Sequence, residues 1–177
     1  EIRPYAPEEL PQVFEELIAD PMFKAVVGQV MPGIPFDMIA AQMLQCKTNL
    51  DFQKVFFYKL LKALVQKCAK DLVFDGSAIK DKSINNTSIS NHLDTLLDSA
   101  FLCVVLIEND MNTVEIAIGD NLLIYPWIKK VVRINKSFIV QRALTMRQML
   151  ESSARMSRYM HYAIDEKKQS IWIAQRE

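Results

Sequence analysis

Over the first seventy residues, apolar positions recur at the spacing of one helical face. In "PEELPQVFEELIAD" Phe14, Leu17 and Ile18 repeat at that interval, and Pro21 marks a break. A second helix is predicted to run through Val30. Gly33 and Pro35 punctuate the chain. Phe36, Ile39, Ala40, Met43 and Leu44 then give the i, i+3, i+4, i+7, i+8 stripe of a one-faced helix. Phe57, Leu60, Leu61, Leu64, Val65 and Cys68 repeat that stripe. Stripes of this kind are read as core.

From Asp71 the pattern shortens. "DLVF" reads as a strand closed by the turn pair Asp75-Gly76. A polar stretch, "KDKSINNT", leads to the β-like "SISN" and then to an apolar helix from about Thr95 to Ile107. "TVEIAI" alternates as a strand does and ends at Gly119-Asp120. A short helix is predicted around Trp127 to Val132, followed by a strand at "SFIV". Thr145 and Gln148 make a capping-box pair ahead of a helix with the stripe Met146, Met149, Leu150, Ser153, Met156 and Met160. "SIWIA" is the last strand. Strands alternating with helices after a helical start predict an α/β fold. The expected architecture is a mixed sheet flanked by helices over residues 71–177, with an N-terminal helical subdomain over residues 1–70. The chain begins at Glu1 without a methionine and stops directly after a strand. It therefore reads as a fragment of a longer polypeptide, with the fold cut short at the C-terminus.

Composition changes this picture little: 177 residues, 50% hydrophobic and 24% charged, are ordinary for a globular chain. The formal net charge is +0, which predicts no nucleic-acid binding. The distribution is more informative. Between Asn121 and Leu150 there is no Asp or Glu, yet Lys129, Lys130, Arg133, Lys136, Arg142 and Arg147 all fall there. Such an excess attracts phosphate, an anionic cofactor or an acidic membrane surface, unless acidic partners come from elsewhere in the fold. Three cysteines, Cys46, Cys68 and Cys103, are far apart and form no CxxC, which fits a reducing compartment. No apolar run approaches the ~20 residues of a spanning helix. The expected location is cytoplasmic, with peripheral membrane contact.

Candidate chemistry centres on His92, in "SISNHLDTLLD". Histidine is the natural base near neutral pH, but it needs a partner to fix its tautomer and stabilise the imidazolium. Asp94 and Asp98 are the local candidates, Asp94 being equally suited to cap the helix that follows. His161, the other histidine, sits in a Met-rich helical pattern and reads as packed or surface. No nucleophilic GxSxG, metal-ligand spacing, phosphate-binding Gly loop or dinucleotide fingerprint occurs, so no metal and no cofactor are expected.

Three ordered blocks carry a family resemblance across roughly residues 87–177. "SNHLDTLLDSAFL" resembles the first motif of the glycerolipid acyltransferases, the lysophosphatidic-acid and glycerol-3-phosphate acyltransferase superfamily. "GDNLLIYPWIKKVVRINKSFIVQR" is similar to the segment in which a Gly-x-Asn-Leu run leads through a short helix to a Phe-Ile-x-Arg strand end. "IAQRE" looks like the strand into a Glu-Gly-x-Arg motif, with Glu177 at the glutamate. The family has four residues between its His and Asp. Here five separate His92 from Asp98, and Asp94 stands where the family usually has serine or another polar residue.

The resemblance implies a bacterial-type O-acyltransferase of phospholipid biosynthesis. It would move a fatty acyl group from acyl-CoA or acyl carrier protein to a hydroxyl of glycerol 3-phosphate, lysophosphatidic acid or a related lipid. His92 is implied as general base, with Asp98, or in its place Asp94, orienting the imidazole. Arg142 is implied to bind the acceptor's phosphate, with Lys136 and Arg133 as further anion candidates. Asn91 would hydrogen-bond the loop or the oxyanion, and Glu177 would stand at the acceptor site. The helical subdomain is expected to cover the acyl channel or dock on a membrane. Two rivals stand beside this reading: an acyltransferase for an amino-acid-derived lipid, and a non-catalytic relative that binds lipid or a partner protein.

Overall fold

The computed structural model describes residues 2–59, 61–62, 69–79, 81–82, 84–91, 97–142 and 144–175. Its N-terminal third is helical because each apolar stripe buries one face of a helix against the others. Helix α1 (Leu10–Ile18) buries Leu10, Val13, Phe14 and Leu17. Helix α2 (Pro21–Val30) starts where Asp20 Oδ1 accepts from the Met22 and Phe23 amides at 2.9 and 3.0 Å. Pro21, read as a break, occupies the first turn, where its missing N–H has no intrahelical partner to lose. Helix α3 (Phe36–Gln45) faces inward through Ile39 and Met43. Helix α4 (Asn49–Phe52), opened by a Thr48–Asp51 capping box, runs directly into a π-turn at Gln53–Phe57. Phe14 stacks on Phe52 (5.5 Å between centroids), and Phe52 on Phe56 (5.2 Å). Leu60, Leu64, Val65 and Cys68 of the next predicted stripe lie outside the described residues.

The second part is an α/β sheet. Strands β1 (Thr87–Asn91), β2 (Glu115–Gly119), β3 (Ser137–Val140) and β4 (Ile171–Gln175) lie in the order β1-β4-β2-β3. Helix α5 (Leu97–Glu108) joins β1 to β2, α6 (Pro126–Ile134) joins β2 to β3, and α7 (Met146–His161) joins β3 to β4. Every pairing among the described strands is parallel, so the expected mixed sheet is corrected to a parallel one. The cause is the connections: each strand is followed by a helix that carries the chain back along the sheet, which makes the next strand parallel. "DLVF" is also corrected. Residues 71–74 form no strand, and Val73 is 83% exposed. An apolar run has β character only where it finds a neighbour to pair with.

Both faces of the sheet are covered. Cys103, Val104 and Leu106 of α5 pack on Ile116 and Trp172. On the other face, Phe138 and Ile171 meet Ala163, with Met156, Tyr159 and Met160 of α7 around them. The α7 stripe is thus only half used: Met146, Met149 and Leu150 at its start are exposed. The helical part and the α/β part meet at α6, whose Ile134 is fully buried in the core of the first four helices. Asn49 Nδ2 donates to Ile134 O at 2.8 Å, and Ile139 N donates to Ile2 O at 2.8 Å. Among the described residues no helix is long and apolar enough to cross a membrane.

Candidate functional site at the carboxyl edge of the sheet

Parallel strands end at one level, and here Asn91 and Arg142 stand at or just past that level. Asn91 ends β1 opposite Gln175 of β4, while Gly119 ends β2 opposite Val140 of β3. The chain leaves these ends into the segments holding His92, Asp120-Asn121 and Arg142. In open parallel sheets, ligands bind in the crevice outside these carboxyl ends.

A cleft of about 1000 Å³ lies against the sheet there. Its walls are mainly aliphatic, including Ile89, Ile116, Ile118, Ile128 and Val132. Gly119, Asn121, Arg142 and Ser99 contribute polar groups to its lining. The β2 turn is tight. A Cβ at Gly119 would collide with Asn121 Oδ1 and stand 3.4 Å from Arg142 Nε, so only glycine admits this arrangement. Asp120 Oδ1 accepts from the Arg142 amide at 3.0 Å, tying the β2 turn to the end of β3. Gly119 was legible in the chain only as a turn residue; the crowding there comes from the Asn121 side chain folded back over it, two positions on.

The candidates do not all meet here. Asn91 is exposed at the end of β1, and Ser90 beside it accepts from Trp172 Nε1 at 3.2 Å. Asp98 lies in the first turn of α5, next to the cleft residue Ser99. His92, Asp94 and Glu177 lie outside the described residues.

Arg133 and Lys136 do not line the cleft. Arg133 is buried, with Nε donating to Arg3 O at 2.8 Å and its guanidinium 3.8 Å from the Tyr5 ring centroid. It serves to anchor the N-terminal segment on α6. Lys136 turns inward at the opposite end of the strands, its Nζ donating to Thr113 O (3.3 Å) and Gln169 Oε1 (3.2 Å). Its backbone has φ 59, the left-handed turn that swings the chain from α6 into β3. Burial pushes its amine down to about 8, against the opposing pull of Glu115.

That inner cluster is a polar core of its own. Glu115, 1% exposed, accepts from Lys167 Nζ at 2.5 Å and from the Tyr159 hydroxyl. Gln169 Nε2 donates to Thr113 O at 2.6 Å, and Thr113 Oγ1 donates to Gln53 Oε1 at 2.5 Å. Burial raises the Tyr159 phenol well above its usual range, with the Glu115 charge adding to it.

Two other basic residues of the acid-free segment have acidic partners. Lys130 pairs with Glu16 of α1 at 2.7 Å, and Arg147 with Glu151 at 3.2 Å. Of the six cations in that segment, Arg142 is the one that lines the cleft. His161 is exposed on α7, its Nδ1 3.8 Å from Asp165. Among the described residues no group of His, Cys, Asp and Glu is arranged to hold a metal ion. No protein-family model, curated protein or solved structure matches the chain.

Proposed function

We propose that the chain belongs to an O-acyltransferase that moves a fatty acyl group from a thioester to a hydroxyl of a phosphorylated glycerol or lysolipid. One observation carries the reading. The crowded Gly119–Asn121 turn after β2 and Arg142 after β3 line a cleft with largely aliphatic walls, to which β1, the strand that leads to His92, contributes Ile89. Such a cleft suits a substrate that is part alkyl chain and part anion.

The chemistry needs few groups. The acceptor oxygen attacks the thioester carbonyl carbon while His92 takes the hydroxyl proton. Asp98 or Asp94 holds the imidazole and stabilises its cation. The tetrahedral intermediate collapses, the carbon–sulfur bond breaks, and the departing thiolate takes the proton back from His92. Arg142 holds the acceptor phosphate through charge-assisted bonds, for which the planar guanidinium fork is suited. The donor's carrier is coenzyme A or acyl carrier protein, and membrane contact is peripheral.

The test follows free-thiol release by the full-length protein from both thioester carriers, with and without glycerol 3-phosphate or its monoacyl form. Acceptor-dependent release that disappears in a folded His92→Ala variant is expected. Release that needs no acceptor, or that persists in the variant, would overturn the mechanism.

A further inference from the structure

Helix α7 turns its arginines outward. Arg147, Arg155 and Arg158 are all exposed, and Arg142, also exposed, stands just ahead of the helix. Glu151 is the one acid on α7, and its 3.2 Å pair with Arg147 is a solvated contact of the kind that contributes little. Arg155 and Arg158 form no ion pair among the described residues. Arg147, Leu150, Ala154 and Arg158 follow one another at spacings of three and four, so they form a single line along the helix, and all four are exposed. From Arg147 to Arg158 that line is roughly 17 Å long. Leu150, within it, is 67% exposed, and Met146 and Met149 beside it are exposed as well.

We propose that this line is the docking surface for an acidic carrier protein, and hence that the donor's carrier is a protein rather than coenzyme A. The proposal rests on the acyl-transfer reading above. The occupant follows from composition and pattern. Arginine and methionine are enriched in protein interfaces and lysine is depleted; α7 holds three arginines, four methionines and no lysine. A guanidinium takes a carboxylate through two parallel bonds, so an acidic surface is its complement. A helix that lies on a membrane keeps its cations on one face and its apolar side chains on the other. Here Leu150 lies between Arg147 and Arg158 on the same line, as in an interface that mixes apolar and charged contacts. Coenzyme A brings its phosphates to one place and offers nothing to cover Leu150 and both ends of the line. The position also fits. Ser152 Oγ donates to Gln141 Oε1 at 3.4 Å, which holds the start of α7 beside the cleft residue Arg142. From the end of β3 to the end of β1, which leads to His92, is three strand spacings, roughly 14 Å, a gap for the thioester-bearing arm to cross.

Thiol release by the full-length protein is measured with one acyl chain on three donors: acyl carrier protein, coenzyme A and phosphopantetheine alone. Circular dichroism confirms that each variant is folded. Arg147→Glu combined with Arg158→Glu should raise KM for the carrier-protein donor on the order of 100-fold, while kcat and the KM for both small donors stay close to wild type. Leu150→Ser should raise the same KM about 10-fold. The wild-type KM for the carrier-protein donor should climb steeply with added salt, and that of the double variant should not. An unchanged KM, or an equal rise for all three donors, would overturn the docking surface while leaving acyl transfer standing. A double variant that stops binding phosphatidylglycerol vesicles but keeps its KM for the carrier-protein donor would assign the line to a membrane and overturn the proposal. Failure of every donor to release thiol would remove both readings.

Discussion

Replacing Lys136 with methionine should stabilise the protein near neutral pH and abolish a rise in stability that the wild type shows between pH 8 and pH 9. The Lys136 amine falls from 10.5 to about 8 in the folded state because its ammonium is withdrawn from water among Thr113, Gln169, Glu115 and Lys167. Between those values the unfolded chain binds more protons than the folded one, so stability rises with pH. A shift of this size corresponds to about 3 kcal/mol, of which about 1 kcal/mol accrues from pH 8 to pH 9. Above pH 9 the sign reverses for another group. Burial pushes the Cys103 thiol from 9.0 up to about 11, so its ionisation on unfolding begins to favour the unfolded chain.

Methionine removes the buried charge and loses two hydrogen bonds worth about 1 kcal/mol each, leaving a net gain of about 1 kcal/mol near neutrality. Thr113 O keeps its bond from Gln169 Nε2. The left-handed backbone at position 136 burdens both side chains alike. Urea unfolding at a series of pH values measures this directly. A wild type flat across the window, or a variant with the same slope, would sink the account of Lys136 as a buried amine.

Three further outcomes follow from single contacts. Gly119→Ala must displace the Asn121 side chain and, on the acyl-transfer reading, should lower acceptor-dependent turnover on the order of 10- to 100-fold with little change in melting temperature; unaltered kinetics would remove the tight turn from the site. Thr145→Ala deletes the oxygen that accepts the Gln148 amide at the start of α7 and should destabilise by about 1 kcal/mol, visible as faster amide exchange in that first turn. Phe52→Ala, at the centre of the stacked rings, should destabilise by about 3–5 kcal/mol in urea unfolding.

Period and punctuation made the elements legible. "SFIV" became β3 without a residue's change, and the Thr145–Gln148 pair caps α7 as the spacing implied. Both depend on neighbours a few residues away. What stayed hidden depends on distant partners. Glu115 alternates with Val114 and Ile116 as an outward residue should, but α7 covers that face, and Tyr159 and Lys167 answer its charge from 44 and 52 residues along the chain. The acid-free basic segment suggested one positive surface. Lys130 instead finds Glu16 on α1, while Arg133 and Lys136 point into the protein. For the site, residue types were legible around Asn91 and Arg142. The crowding at Gly119 was not, because it depends on the rotamer by which the Asn121 side chain folds back over the turn.

The strand order also sets a timetable for synthesis. β2 and β3 are adjacent both in the sheet and along the chain, so they can pair soon after both have been made. β1 cannot, because among the described strands its partner is β4. Asn86 and Ser170, which are hydrogen-bonded at the foot of that pairing, are 84 residues apart. At a ribosomal pace of roughly 5–20 residues per second, β1 waits on the order of ten seconds with its backbone groups unpaired. Its composition suits that wait: four of the five residues in "TSISN" are polar, so the waiting strand shows little apolar surface to other nascent chains. The strand that leads to His92 is therefore among the last to be fixed, and the carboxyl edge of the sheet is completed only when β4 arrives.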